Sequence, residues 1–396
     1  MADRSELNPA VFRLAGAHFV SDAYSNIYAP LLPALIPRLG LSLAAAGTLA
    51  LLYQLANSIS QLGFGRLADH WRPRVLMVAG PIVSVAVLTL IGVAWTPAVL
   101  AAVLLVGGLG GAAFHPTSAA VVHRIGGTRR GMAMAVHITG GSIGYALAPM
   151  VFAPFVGRFG LQWTPLLAVP GLVVLAVVLR GMPRLRPFGP GAGSGLGVLR
   201  PYRKPLFLLW LIVVLRTMTS STMATFVPVL LTSRGWSIGM AGFAVSVYLT
   251  AASIGGFAGG PLSDRFGARR VIASSLALAV PFLVLGARLN DWPLVLMLAI
   301  GGFFLQSTLP VNVTFAHQIA PVSAATVSSL MMGVAWGTGG LAAPAVGAMA
   351  DRFGIAATLT GVGLLPLIGA VCALPLPRDG EADTADSGGV STPTGT

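Results

Sequence analysis

The sequence predicts an all-α integral membrane protein, with twelve transmembrane helices in two pseudo-symmetric six-helix halves. Three observations carry this expectation. Charge is scarce: of 396 residues, 55% are hydrophobic and 9% charged, and the mean hydropathy is +0.84, which leaves too few charges for an ordinary soluble surface. Apolar runs recur at 11–36, 43–65, 75–94, 97–122, 131–153 and 163–181, and again at 205–232, 238–262, 271–289, 293–316, 325–348 and 355–376. Each is long enough to cross a hydrocarbon layer roughly 30 Å thick as a helix, which satisfies its own backbone there. The second six runs also repeat the first six at a nearly constant shift.

The repeat is visible residue by residue. Leu67-Ala68-Asp69 meets Leu262-Ser263-Asp264 at a shift of 195, and Pro33, Gly40 and Tyr53 meet Pro228, Gly235 and Tyr248 at the same shift. VGGLGGAAFHPTSAAVVHRI from Val106 lies over IGGFFLQSTLPVNVTFAHQI from Ile300 at a shift of 194, which aligns Pro116 with Pro310. Ala148-Pro149 meets Ala343-Pro344 in turn. The Pro-, Gly- and Arg-rich stretch between the halves reads as a linker. The expected organisation is an N-terminal half at 1–182, a cytoplasmic linker at 183–204, a C-terminal half at 205–377 and a disordered, acidic and polar tail at 378–396.

The net charge of +13 does not point to nucleic acid, because the basic residues are dispersed between apolar runs instead of forming a patch. They set topology instead. Eighteen Lys and Arg fall in one alternate set of loops plus the ends, against five in the opposite loops, which predicts that both termini are cytoplasmic. MADRSELNPAVFR carries no cleavage site, so no removable signal peptide is expected. The single Cys372 allows neither an intrachain disulfide nor a thiolate metal cluster. No cofactor or metal site is expected.

Few ionisable residues lie inside the apolar runs: His18, Asp22, His115, His137 and Arg216. Asp22 lies about 16 Å along a helix that begins near Val11, close to mid-bilayer. A charged carboxylate there costs on the order of 2.5–3.5 kcal/mol, so it is expected to face protein or water. His18 stands four residues earlier on the same helical face. The pair is read as a proton site, against the alternative of a structural hydrogen bond. Arg216 neighbours Thr217, the repeat counterpart of Asp22, so an acid of one half is expected to face a cation of the other. His115 precedes Pro116 and reads either as a functional group or as a helix-kink residue.

Two parallel six-helix repeats are the signature of the major facilitator architecture. GRLADHWRPR and GPLSDRFGARR resemble the signature cytoplasmic loop of that superfamily, and imply gating roles for Gly65, Asp69, Arg74, Gly260, Asp264, Arg265, Arg269 and Arg270. In the first copy His70 and Arg72-Pro73 depart from the pattern. Gly140, Gly141, Gly144 and Pro149 resemble the glycine-and-proline motif of its drug:proton antiporters; close helix packing explains the same residues. The resemblance to the superfamily implies that the first helix of each three-helix unit lines a central cavity.

AHFVSDAYSNIYAPLLP, YQLANSISQ, GGLGGAAFHPTSAA, GGTRRGMAMAV and GGPLSDRFGARRVI together resemble the fosmidomycin-resistance family of efflux proteins over nearly the whole chain. That family implies proton-driven export of a small phosphonate antibiotic across the bacterial inner membrane. Asp22 and His115-Pro116 match family positions; Thr117 and Ala120 stand where the family usually carries an acidic and then a basic residue.

The expected function is proton-coupled antiport of a small polar or anionic drug-like compound by a monomer in the lipid bilayer, working by alternating access. Asp22, His18 and His115 are the expected proton-coupling residues. Arg216, Tyr24, Tyr28, His137, Asn312 and Trp336 are the expected substrate ring. A proton-coupled importer of a metabolite or anion would use the same residues. An enzyme is disfavoured by the lack of paired embedded acids, a His-x-x-x-His pair, a Walker loop or a serine elbow backed by an acid.

Overall fold

A computed structural model describes residues 7–180, 182, 196–320, 327 and 329–377. The N-terminal half contains α1 (Pro9–Ser25), α2 (Tyr28–Leu39), α3 (Leu43–Ser58), α4 (Ser60–His70), α5 (Pro73–Leu88), α6 (Pro97–Ile125), α7 (Arg130–Phe159) and α8 (Ala168–Val178). The C-terminal half contains α9 (Arg203–Ser233), α10 (Ile238–Phe266), α11 (Ala268–Arg288), α12 (Asp291–Ile319), α13 (Ala335–Gly340), α14 (Ala343–Phe353), α15 (Ile355–Val362) and α16 (Leu365–Ala373).

Nine helical stretches among the described residues are long and apolar enough to span a membrane. The other three of the twelve expected spans are segmented, so no single piece reaches that length. The first breaks at Asn26–Ile27, the second at Ile59 and the eleventh between α13 and α14. Most of the expected linker, and the tail from residue 378, lie outside the described residues. The end of the linker is helical at Leu196–Tyr202, so α9 begins two residues before the expected boundary.

The internal repeat is written in turn and cap chemistry. Ser42 and Ser237, 195 residues apart, each cap the helix that follows, accepting from Ala45 N (3.1 Å) and Met240 N (3.2 Å). Gly40 and Gly235 precede them with φ of +59° and +87°. A side chain is disfavoured in that left-handed region, so both halves need glycine there. Each half has its own apolar core, one built on Leu14, Leu31, Leu88 and Phe114 and the other on Phe226, Tyr248, Leu283 and Phe315.

The halves meet where α2 lies on α9 and α10 and along two larger seams, both at the end of the bundle away from Pro9 and Leu376. In one, α3 lies on α14: a Cβ on Gly347 would come 2.5 Å from the Leu43 carbonyl carbon. There Asp351 crosses between the halves, its two carboxylate oxygens accepting from Leu43 N and Ala44 N at 2.9 Å each. In the other, α7 lies on α10, with Gly157 facing Ile238 and Ser246 Oγ accepting from Met150 N (3.0 Å). Among the described residues α4, at the other end, makes its principal contacts within its own half, and the halves part there.

Candidate functional site

The site begins with a choice of small residues. Asn8 caps α1 by accepting from Ala10 N at 2.9 Å, and Asn26 fixes its far end on α7 by donating to Tyr145 O at 2.9 Å. Between these anchors α7 lies directly on α1. Gly140 faces the Ala15 backbone, Gly144 the Phe19 backbone, and Gly141 the side chains of His18 and Asp22. A Cβ on Gly141 would stand 2.5 Å from Asp22 Oδ2 and 2.6 Å from His18 Nε2. The glycines therefore bring the helices together and also leave the space that the polar pair fills.

Three helices of the N-terminal half supply the cluster. His18 Nε2 lies 3.2 Å from Asp22 Oδ2, and His115 Nε2, from α6, lies 3.4 Å from Asp22 Oδ1. The side chains are 12–19% exposed, deep in the bundle but within reach of solvent. His18 Nδ1 meets the His137 carbonyl at 2.8 Å. A carbonyl only accepts, so Nδ1 carries the hydrogen and Nε2 faces the carboxylate. His137 stacks on His18 with ring centroids 4.3 Å apart, while its Nε2 pairs with Ser118 Oγ at 3.2 Å. His137, expected to meet substrate, thus belongs to the histidine cluster and is buried behind it.

Arg216 departs from expectation. Its guanidinium donates to Gln306 Oε1, and its Nη2 lies 3.2 Å from Thr217 Oγ1. These partners lie in its own half, and the ionic partners of Asp22 are histidines, so the expected opposition of Asp22 and Arg216 is not a contact. The buried cation is met by an amide oxygen, which neutralises no charge but supplies a hydrogen-bond acceptor. Asn312 is 1% exposed, with neither amide atom paired among the described residues. Trp336 is half-buried against the C-terminal core.

Tyr24 and Tyr28 do not join the ring. The Tyr24 hydroxyl donates to Leu167 O and its ring packs on Phe152, while Tyr28 donates to Ala46 O at 2.8 Å. Both hydroxyls are spent on backbone carbonyls of their own half. At the parted end, Gly65 lies near Pro116, Arg269 donates to Leu376 O (3.2 Å), and Arg265 lies over Phe266. Arg74 and Gly260 are partly exposed there, and Asp264 and Arg270 are exposed. The side chain of Asp69 lies outside the described residues. Pro149 is buried where α7 meets Gly242 of α10.

The residues that sequence reasoning passed over are Asn57, Tyr53 and Gln306. Asn57 Oδ1 and Tyr53 Oη are buried without a hydrogen-bond partner among the described residues. They stand four residues apart on α3, a spacing that puts two polar groups on one face of an apolar helix. Gln306 sits in the repeated segment opposite Ala112, where a polar residue in only one copy marks a local demand.

Two six-helix halves that meet at one end and part at the other, around a polar midsection, form the architecture of an alternating-access transporter. The profile of the Major Facilitator Superfamily matches residues 14–212 and 209–395, and the chain belongs to that family. It is 29% identical over 364 residues to the fosmidomycin resistance protein of Escherichia coli (strain K12), covering 89% of each chain. It is 28% identical over 386 residues to the uncharacterized MFS-type transporter YfnC of Bacillus subtilis (strain 168), covering 94% of this chain and 93% of that one.

Among solved structures, a bacterial homolog of the human lysosomal transporter Spinster, inward-facing and occupied, superposes with a TM-score of 0.76 at 15% identity, over 92% of this chain and 95% of that one. The nucleoside transporter NupG superposes with a TM-score of 0.75 at 14% identity, over 93% and 99%. Both likenesses establish the fold. The chain is a multi-pass membrane transporter of the major facilitator type, with the twelve-helix fold the sequence predicts.

Proposed function

We propose that the chain is a proton-coupled antiporter of the bacterial inner membrane, exporting a small polar or anionic drug-like compound by alternating access. The observation that carries this reading is the tautomer of His18. With the Nδ1 hydrogen given to the His137 carbonyl, Nε2 and Asp22 Oδ2 at 3.2 Å attract only when a proton lies between them; a lone pair would face a carboxylate otherwise. His115 stands on the other carboxylate oxygen as a second group able to take the proton up. The positive-inside bias puts the termini, and so the parted end, in the cytoplasm.

Arg216 supplies the attraction for an anionic or polar substrate, with Asn312 and Trp336 on the same half. Because Gln306 and Thr217 hold the guanidinium, proton and substrate compete through the packing of the two halves and not through an Asp22–Arg216 ion pair. The likeness to the fosmidomycin resistance protein supports export and a compact anionic substrate. The N-terminal and C-terminal halves act as the two rocking bodies, and a monomer suffices.

The test is transport in everted vesicles with an acid interior. Wild-type vesicles accumulate substrate and Asp22→Asn vesicles do not, at equal protein abundance; full gradient-driven uptake by the variant would remove the mechanism. A resistance screen of phosphonates against lipophilic cations reads the polarity of the cavity, and Arg216 predicts the anions.

A further inference from the structure

We propose that His18, Asp22 and His115 also form a binding site for one divalent transition-metal ion of the zinc class. The inference shares residues with the proposed coupling site but does not depend on coupling. Two imidazole Nε2 atoms and one carboxylate converge from two helices, with ligand atoms all within 4.8 Å of one another. His18 Nε2 lies 3.2 Å from Asp22 Oδ2, and His115 Nε2 lies 3.4 Å from the other carboxylate oxygen, Oδ1. Ligands about 2.1 Å from a tetrahedral ion stand about 3.4 Å apart, so both match that edge. No remaining separation among the three ligand atoms exceeds that edge by more than about 1.4 Å, a gap that small turns of the His115 ring and the Asp22 carboxylate close.

The surroundings also suit an ion. A metal-binding histidine characteristically gives its other ring N–H to a backbone carbonyl or carboxylate, which fixes the tautomer and aims the lone pair. His18 does this, donating from Nδ1 to His137 O at 2.8 Å. An additional unpaired oxygen lies on the His115 side of the cluster. Asn57 Oδ1 is buried without a partner among the described residues, and a Cβ on Gly111 would lie 2.5 Å from it and 3.8 Å from His115 Nε2. Two nitrogens and a carboxylate favour Zn²⁺, Co²⁺ or Ni²⁺ over Mg²⁺ and Ca²⁺, which take oxygen ligands. The ion would stand where the shared proton stands between His18 and Asp22, so the two exclude each other.

The experiment uses the full-length protein in detergent with any affinity tag removed, titrated with Zn²⁺ by calorimetry and with Co²⁺ by visible absorption. The expected result is one Zn²⁺ per chain, a four-coordinate Co²⁺ spectrum displaced by Zn²⁺, and no competition from Mg²⁺. His115→Ala and Asp22→Asn each weaken binding tenfold or more, and His123→Ala, at an exposed position, leaves it unchanged. His115→Gln serves where the alanine variant does not fold. A wild-type chain that binds no Zn²⁺, or binding that survives loss of the His115 imidazole, overturns the proposal. Metal binding without proton-driven transport removes only the coupling reading, and the converse removes only the ion.

Discussion

The sharpest consequence of the seam geometry concerns Asp351→Ala. Asp351 holds Leu43 N and Ala44 N at 2.9 Å each, two donors that α3 cannot satisfy internally because they lie in its first turn. Losing a capping side chain costs about 0.5–2 kcal/mol, and losing a negative charge at a helix N-terminus costs about 0.3–1 kcal/mol. Asp351 is exposed, so water replaces part of the contact, and Ser42 still caps Ala45 N (3.1 Å). That leaves about 1 kcal/mol, a roughly fivefold shift in the ratio of the state with this seam closed to the state with it open. Spin labels at Arg38 and Arg352, both exposed, on a background with Cys372→Ser, read the two populations as pulsed-EPR distances. Asp351→Ala is expected to enlarge the long-distance population about fivefold, and Asp351→Asn, which keeps one acceptor, by less. Identical distance distributions in folded protein would refute the latch.

Other substitutions separate room-making from chemistry. Gly141→Ala places its methyl against Asp22 and His18, and is expected to impair transport while leaving abundance near wild type, measured by vesicle uptake and immunoblot. Gly144→Ala meets the Phe19 backbone, which cannot rotate away. It is expected to cost about 1–3 kcal/mol of stability, read as a fall in the thermal unfolding midpoint. Tyr24→Phe removes a hydrogen bond to Leu167 O and is expected to cost about 1 kcal/mol with unchanged substrate KM; a raised KM would return Tyr24 to the cavity. Gln306→Leu strips the acceptor from Arg216 and is expected to alter substrate KM more than the pH dependence of uptake.

The fold was legible because a membrane imposes long-range order on composition. Span length, loop charge and a shift of 195 residues are all one-dimensional quantities. The breaks in three spans were not legible, because a helix that bends at Ile59 or Asn26 keeps its apolar composition. The pair His18–Asp22 was visible from its spacing of four. His115 is expected beside the pair, but His137, expected in the substrate ring, joins it from α7 through tertiary packing that the sequence does not carry. The spacing of the α7 glycines marks them as packing residues; that Gly141 in particular makes room for Asp22 is a fact of helix rotation that spacing alone does not carry. Tyr24 and Tyr28 are expected in the substrate ring, but spacing along the chain does not fix where a ring turns. Tyr28 lies beyond the break of the first span, and both rings turn toward carbonyls of their own half.

The repeat sharpens what is unusual in the site. At a shift of 194 to 195, His18 corresponds to Val213, Asp22 to Thr217, His115 to Leu309 and Ser118 to Asn312. The backbone is duplicated but the titratable chemistry is not. One half holds the histidines and the acid, and the other holds Arg216 against Gln306. The seams differ in the same way: Asp351 caps Leu43 and Ala44 in one, and in the other its counterpart Gly157 faces Ile238, the counterpart of Leu43. In this architecture the inward- and outward-open packings are related by inverted three-helix repeats within each half, so small differences of about 1 kcal/mol decide which one is populated. In the proposed cycle these asymmetric polar groups give each half its own sensitivity, to charge near Asp22 in one and to an anion at Arg216 in the other. The transport cycle proposed for this chain requires that division.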